Sequence, residues 1–370
     1  MKPYEQFVDN MLKAVRTGQG KDPAAATALI QDALRNAGLM PGANTGTQAG
    51  AQAGAQAPFV DLNDLPTGDW RARFHARQAR PRHAPTPDAP GRFLAGSFGN
   101  AAGTRRYRLY VPARAASGPR PLVVMLHGCQ QDAGDFAAGT AMNRQAEEHG
   151  CLVLYPDQDR GANGSNCWNW FDAAHQARDQ GEPALIAGMT RHVLQEHGAD
   201  PDRVFVAGLS AGGAMAAVMG AAYPELYAAV GVHSGLPVGA ARDLMSGLNA
   251  MKGKHLGGAS RTLRRRRPLI VFHGDQDAVV HPSNGAALIR QFLGDGTVRE
   301  IEERGTAGTG RGHTRTTALD DDGRVVAEHW IVHGAGHAWA GGDPAGSYTD
   351  ASGPNASAEM LRFFLAQAAD

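Results

Sequence analysis

Gly208-Leu209-Ser210-Ala211-Gly212 follows the apolar run Arg203-Val204-Phe205-Val206-Ala207 and leads directly into Gly213-Ala214-Met215-Ala216-Ala217-Val218-Met219. The first run has the residues of a short buried strand, and the second has the small side chains of a helix packed closely on a sheet. A strand can become a helix across so few residues only through a tight turn. Glycine on both sides of the serine removes the Cβ atoms that would clash there. The pattern therefore demands a sheet with helices against it. It leaves the Ser210 hydroxyl above the end of a strand, with the N–H groups of a helix start behind it. In a chain with 48 glycines the pentapeptide alone arises by chance, and its flanks are what make it informative.

The text from Gly91 onward supplies the rest of such a sheet. Strand patterns over 106–111, 121–126, 151–155, 203–207, 228–232, 268–273 and 324–332 alternate with helical ones. The helices are expected over 135–149, 182–197, 211–222, 284–293 and 355–367. Between Gly235 and Arg267 lies a Gly-rich, weakly periodic insertion, expected to cover the site as a lid or rim. The fold class is α/β, an α/β-hydrolase fold with a mostly parallel sheet flanked by helices and a small N-terminal helical segment.

A serine hydroxyl needs a base, and the base needs an orienting acid; in this fold they follow in the order Ser, acid, His. Pro268-Leu269-Ile270-Val271-Phe272 runs into His273-Gly274-Asp275-Gln276-Asp277, and the last strand pattern ends in Gly334-Ala335-Gly336-His337-Ala338-Trp339. Asp277 is the expected acid, with Asp275 its competitor, and His337 is the expected base. An oxyanion requires two N–H donors. One is expected from Ala211. The other is expected from Cys129, in the loop His127-Gly128-Cys129-Gln130-Gln131 after Pro121-Leu122-Val123-Val124-Met125-Leu126.

Four separated motifs now stand in order: Leu126-His127-Gly128-Cys129 with Gln131, Cys167-Trp168-Asn169-Trp170-Phe171, Gly208-Leu209-Ser210-Ala211-Gly212-Gly213 and Gly336-His337-Ala338-Trp339. Over roughly residues 90–370 they resemble the polyhydroxybutyrate depolymerase family of esterases, in the type whose oxyanion segment precedes the serine. The resemblance implies hydrolysis of poly(3-hydroxybutyrate), its oligomers or related short-chain esters through an acyl-enzyme. It implies Ser210, Asp277 and His337 as catalytic triad, with Cys129 and Ala211 at the oxyanion hole. The same family includes feruloyl and other small-ester esterases, which is the alternative reading. A non-catalytic granule-binding protein is a remote one.

Trp168, Trp170 and Trp339 fall in motif loops rather than strands, and an aromatic there can pack on an aliphatic polyester; all three are expected at the substrate. Asn169, between two of them, is expected either to orient a carbonyl or to pin the loop. His127 and His273 read as architectural. Histidine and cysteine show no zinc spacing and no glycine pattern opens a dinucleotide site, so no metal and no cofactor is expected.

Lysine plus arginine and aspartate plus glutamate number 36 each, so no net field favours nucleic acid as a partner. Apolar runs fall short of a membrane span. The first ten residues lack the apolar core and cleavage site of a signal peptide, which predicts a cytoplasmic protein, with secretion the alternative. Cys129 and Cys167 sit in loops at the same end of the sheet and are open to pairing, whereas an odd count of three and a reducing compartment favour free thiols. Cys151 reads as a buried thiol.

Residues 1–40 are expected to be helical. Tyr4, Phe7, Val8, Met11, Leu12 and Val15 share a face, and a second helix starts at Asp22-Pro23 and ends near Gly38. Residues 41–90 read as a Gly/Ala/Gln linker and an irregular Pro/Arg-rich stretch, and 91–370 as the catalytic domain. The tethered helices are expected to serve targeting to a polyester granule surface or association into a homo-oligomer. The run Arg264-Arg265-Arg266-Arg267 reads as a solvated edge.

Overall fold

The computed structural model describes residues 89–254, 263, 267–308 and 310–367. The expected N-terminal helices, almost all of the linker and Arg264 to Arg266 lie outside the described residues.

Five short strands are buried along their whole length and apolar throughout, save for His233 near one strand end and His273 near another. They are β3 (Leu122–Leu126), β4 (Leu152–Pro156), β5 (Val204–Leu209), β6 (Ala229–His233) and β7 (Leu269–Gly274). Strands covered on both faces need no polar alternation, and they pair in parallel because helices connect them. With β10 (Val325–Val332) they form a parallel array in the order β4-β3-β5-β6-β7-β10. Antiparallel hairpins extend both sides. One is β1 (Arg92–Asn100) with β2 (Gly103–Val111), next to β4. The other is β8 (Arg299–Thr306) with β9 (Gly312–Leu319), next to β10.

Side chains of one strand divide between two cores. Leu122, Val124 and Leu126 of β3 pack with Ile186 and Met189 of α3 (Gly181–His197) and with Met215 and Met219 of α4 (Ala211–Ala222). Val123 and Met125 face the other way, toward Phe136 of α1 (Ala133–Thr140), Met142 of α2 (Met142–His149) and the C-terminal helix Ala356–Ala366 with Met360, Phe363 and Phe364. The result is a three-layer α/β-hydrolase, and the ends of β3, β5, β7 and β10 carry the loops of interest.

One expectation is corrected. The helix expected over 135–149 is two helices, broken at Ala141 with φ 50°, where the Thr140 hydroxyl bonds back to the Phe136 carbonyl at 2.8 Å. The strands within 299–319 carry no apolar pattern, because β8 is Arg299-Glu300-Ile301-Glu302-Glu303-Arg304-Gly305-Thr306, mostly charged and exposed on nearly every residue. Within the expected lid, α5 (Leu244–Met251) is capped reciprocally by Asp243 and Ser246 and leaves Leu244 and Leu248 exposed. It is followed by α6 (Ser283–Leu293), so the final helix is α7. No described helix is long and apolar enough to cross a membrane.

Candidate active site

Ser210 occupies φ 57° and ψ −118°, a region that side-chain-bearing residues rarely enter. The surroundings enforce it. The Ser210 N–H donates to the His233 carbonyl at 2.9 Å, fixing the turn to the end of β6. A Cβ on Gly212 would lie 2.0 Å from the Leu126 carbonyl oxygen, and one on Gly208 would lie 2.4 Å from the Gly212 backbone. Both glycines are thus dictated by backbone-to-backbone approach, with β3 pressed against the start of α4. The serine is held above that crossing.

Asp277 follows β7 and His337 follows β10, its parallel neighbour. Their loops are tied by Asp275 N–H to the Val332 carbonyl (3.2 Å) and Gln276 N–H to the Ala335 carbonyl (3.0 Å). His337 Nδ1 then meets Asp277 Oδ2 at 2.7 Å. The other carboxylate oxygen accepts the N–H groups of Val279 (2.9 Å) and Val280 (2.8 Å). Burial opposes ionisation of Asp277. Hydrogen bonds from His273 and His337, the charge of His337 and the Val280 N–H outweigh it and hold the carboxyl far below the usual range. An ionised partner at Nδ1 keeps a proton there, so that in the neutral ring Nε2 of His337 is the acceptor. Two residues on, Trp339 stacks on His233 at 5.2 Å, the same His233 whose carbonyl anchors Ser210. The histidine loop and the serine turn are thereby braced against one strand end.

Asp275 does something else. It accepts the Gly334 N–H at 2.7 Å and pairs with His333 Nδ1 at 3.0 Å, at a half-exposed edge of the loop. Of the two acids, Asp277 alone is hydrogen-bonded to His337.

The loop after β3 is clamped at nearly every residue. Gly128 N–H donates to Gln131 Oε1 (2.9 Å), whose amide nitrogen donates to Asp135 Oδ2 (2.8 Å) and the Ser347 carbonyl (3.2 Å). Gln130 N–H donates to the Ser165 carbonyl (2.8 Å), and Cys129 is disulfide-bonded to Cys167. The pairing left open by the sequence is formed, and Cys151 is the free, buried thiol. Among the described residues, the N–H groups of Cys129 and Ala211 make no hydrogen bond within the protein; for Ala211 this follows from its place at the start of a helix.

The expected aromatic substrate wall is corrected. Trp168 and Trp339 are 0% and 1% exposed and sit in the two cores, Trp339 with its Nε1–H on Ser357 Oγ (3.1 Å) and its ring edge-on to Phe136. Trp170 is nearly as closed, set edge-on to Phe171. Asn169 pins its loop. Its amide donates to Glu182 Oε1 (2.7 Å), its N–H to Oε2 (2.8 Å), and its side-chain oxygen accepts from Asn163 (2.9 Å). The buried carboxylate of Glu182, in the first turn of α3, organises this loop and is absent from the residues the sequence singles out. So is His233, buried and sandwiched between Phe272 and Trp339, with Nε2 accepting the Ala340 N–H at 3.0 Å.

The fold and site define a class first: an α/β-hydrolase with a serine on a strained strand-to-helix turn and a buried acid–histidine pair at the same sheet edge. The chain belongs to the esterase PHB depolymerase family, which matches residues 105–316. That span takes in Ser210 and Asp277 and stops before His337. The chain is 30% identical over 252 residues to a poly(3-hydroxyalkanoate) depolymerase C of Paucimonas lemoignei, covering 65% of this chain and 60% of that one. To a poly(3-hydroxybutyrate) depolymerase of Ralstonia pickettii it is 29% identical, over 67% of this chain and 54% of the relative. To a feruloyl esterase B of Neurospora crassa it is 29% identical, over 50% and 68%. The chain thus spans little more than half the length of the first two relatives. Among solved structures, an acetyl xylan esterase from Aspergillus awamori shares the fold, with TM-score 0.55 and 21% identity over 74% of this chain and 99% of that one. These relatives are carboxylic-ester hydrolases by name.

Proposed function

We propose that the protein is a serine carboxylic-ester hydrolase acting on poly(3-hydroxybutyrate), its oligomers or related short-chain esters. The observation that carries the reading is the 2.7 Å His337–Asp277 pair at the sheet edge where Ser210 stands on its turn. His337 Nε2 takes the Ser210 proton as the hydroxyl attacks the ester carbonyl, and Asp277 stabilises the imidazolium. The N–H groups of Cys129 and Ala211 hold the oxyanion. His337 returns the proton to the departing alcohol, leaving an acyl-enzyme, and water activated by the same histidine releases the acid. Val279, exposed two residues beyond Asp277, and Leu248 of α5 offer apolar surface of the kind an aliphatic ester would contact. The disulfide at Cys129 supports secretion over a cytoplasmic location, because such bonds persist in oxidising compartments.

The named feruloyl esterase relative supports a second reading, hydrolysis of feruloyl or other small esters. The deciding experiment gives purified protein dispersed amorphous poly(3-hydroxybutyrate) and, separately, methyl ferulate. Release of 3-hydroxybutyrate that vanishes in Ser210→Ala supports the first reading. Turnover of the ferulate alone supports the second. Activity retained by Ser210→Ala on either substrate defeats the assignment.

A further inference from the structure

The geometry points to His127 as the positioning residue that aims the Cys129 N–H. The inference rests on the reading of Cys129 as an oxyanion donor. His127 is buried at the end of β3, and its ring nitrogens have distinct partners. The Gln158 N–H approaches Nε2 at 3.1 Å, and an amide N–H only donates, so Nε2 is the acceptor. The ring proton therefore sits on Nδ1 and is donated to the Gly128 carbonyl at 2.8 Å. Burial holds this histidine below its usual range, so the neutral ring with that tautomer persists.

That carbonyl belongs to the same peptide plane as the Cys129 N–H. In a trans peptide the C=O and N–H point in opposite directions, so anchoring the oxygen sets the line of the N–H. The other clamps act beside this plane. Gln131 Oε1 holds the preceding peptide through Gly128 N–H, and the disulfide holds the Cys129 side chain. Among the described residues, only the Gln131 N–H shares the Gly128 oxygen, at a longer 3.3 Å. Without the imidazole donor the plane can rotate about the bonds of Gly128, which has no Cβ to resist it. An oxyanion donor works only when aimed at the developing charge, and misplacement by about 1 Å costs on the order of a hundredfold.

Two substitutions separate aiming from bulk. His127→Asn places an amide nitrogen where Nδ1 was and loses the acceptor for Gln158. His127→Gln reaches the Nε2 position and loses the donor to Gly128. On a soluble aryl acetate, His127→Gln should lower kcat about 10- to 100-fold with KM changed less than about twofold, and His127→Asn should recover most of that loss. Cysteine-selective 15N labelling gives one amide signal for each of the 3 cysteines. The Cys129 signal should move or broaden in the Gln variant and stay near its wild-type position in the Asn variant. Equal kcat losses in both variants that track their melting temperatures, a rise in KM alone, or an unmoved Cys129 amide in His127→Gln would overturn the inference. If wild-type protein hydrolyses no ester, the catalytic reading fails, and the amide signal still decides whether His127 sets the peptide.

Discussion

The bond between Cys129 and Cys167 closes a loop of 38 residues, and its removal has a calculable consequence. In the chain-entropy relation a loop of that length withdraws about 13 cal/mol/K from the unfolded ensemble, or about 4 kcal/mol at 25 °C. For a domain of this size each kcal/mol moves the melting temperature by roughly 2–4 °C, so the Cys129→Ser/Cys167→Ser double variant should melt about 8–15 °C lower. Calorimetry on the variant, and on wild-type protein with and without a phosphine reductant, measures this directly. The third cysteine does not confuse the result: burial pushes the Cys151 thiol up to about 12, where it stays protonated and out of exchange. A double variant that melts within about 2 °C of wild type would show that the unfolded chain gains nothing from release of the loop, and the entropic reasoning would fail.

Asp277→Asn should lower kcat by several powers of ten, about 10⁴ by comparison with other triads, while Asp275→Asn should cost little more than the stability of the 333–334 loop; steady-state kinetics on one soluble ester compares them, and the reverse order would reassign the acid. Gly212→Ala should yield no folded protein, since the new methyl would lie 2.0 Å from a backbone oxygen that cannot retreat; a soluble, active variant would contradict the packing. Acid should destabilise the fold through buried histidines. Burial is the main cause that lowers His233 to about 3 and His329 to about 4, so the unfolded chain binds more protons once the pH falls below 6.5. The stability they contribute is present above that pH and declines at up to about 1.4 kcal/mol per unit for each histidine as it falls toward 4. Urea melts between pH 7.5 and 5 test the sign, and a flat profile would refute it.

Legibility along the chain followed how much of each residue's role is local. The turn at Ser210 could be read because its constraints, two glycines and a strand-to-helix switch, are all encoded within a few positions. The buried parallel strands were readable for the same reason, each being a short apolar run. Asp277 and Asp275 could not be separated by pattern, since both follow the same strand and each meets a distant histidine; the difference is that Asp277 meets His337 and Asp275 meets His333. The tryptophans misled because their neighbours in sequence are loop residues, whereas their neighbours in space are Phe136, Ser357 and His127. The hairpin of β8 and β9 gave no apolar alternation to find, because β8 buries almost nothing.

That bare strand has a further meaning. A sheet that ends in an unpaired strand offers a row of backbone donors and acceptors to any extended chain that drifts alongside, including another copy of the same protein. Among the described residues β8 ends the sheet, and its row is lined by Arg299, Glu300, Glu302, Glu303 and Arg304, with Arg315 of the next strand paired to Glu303. A second copy laid against this margin would bring the same mixed charges side by side and strip water from them. The margin thus discourages sheet extension, and it gives a domain with so apolar an interior a border at which β-pairing stops.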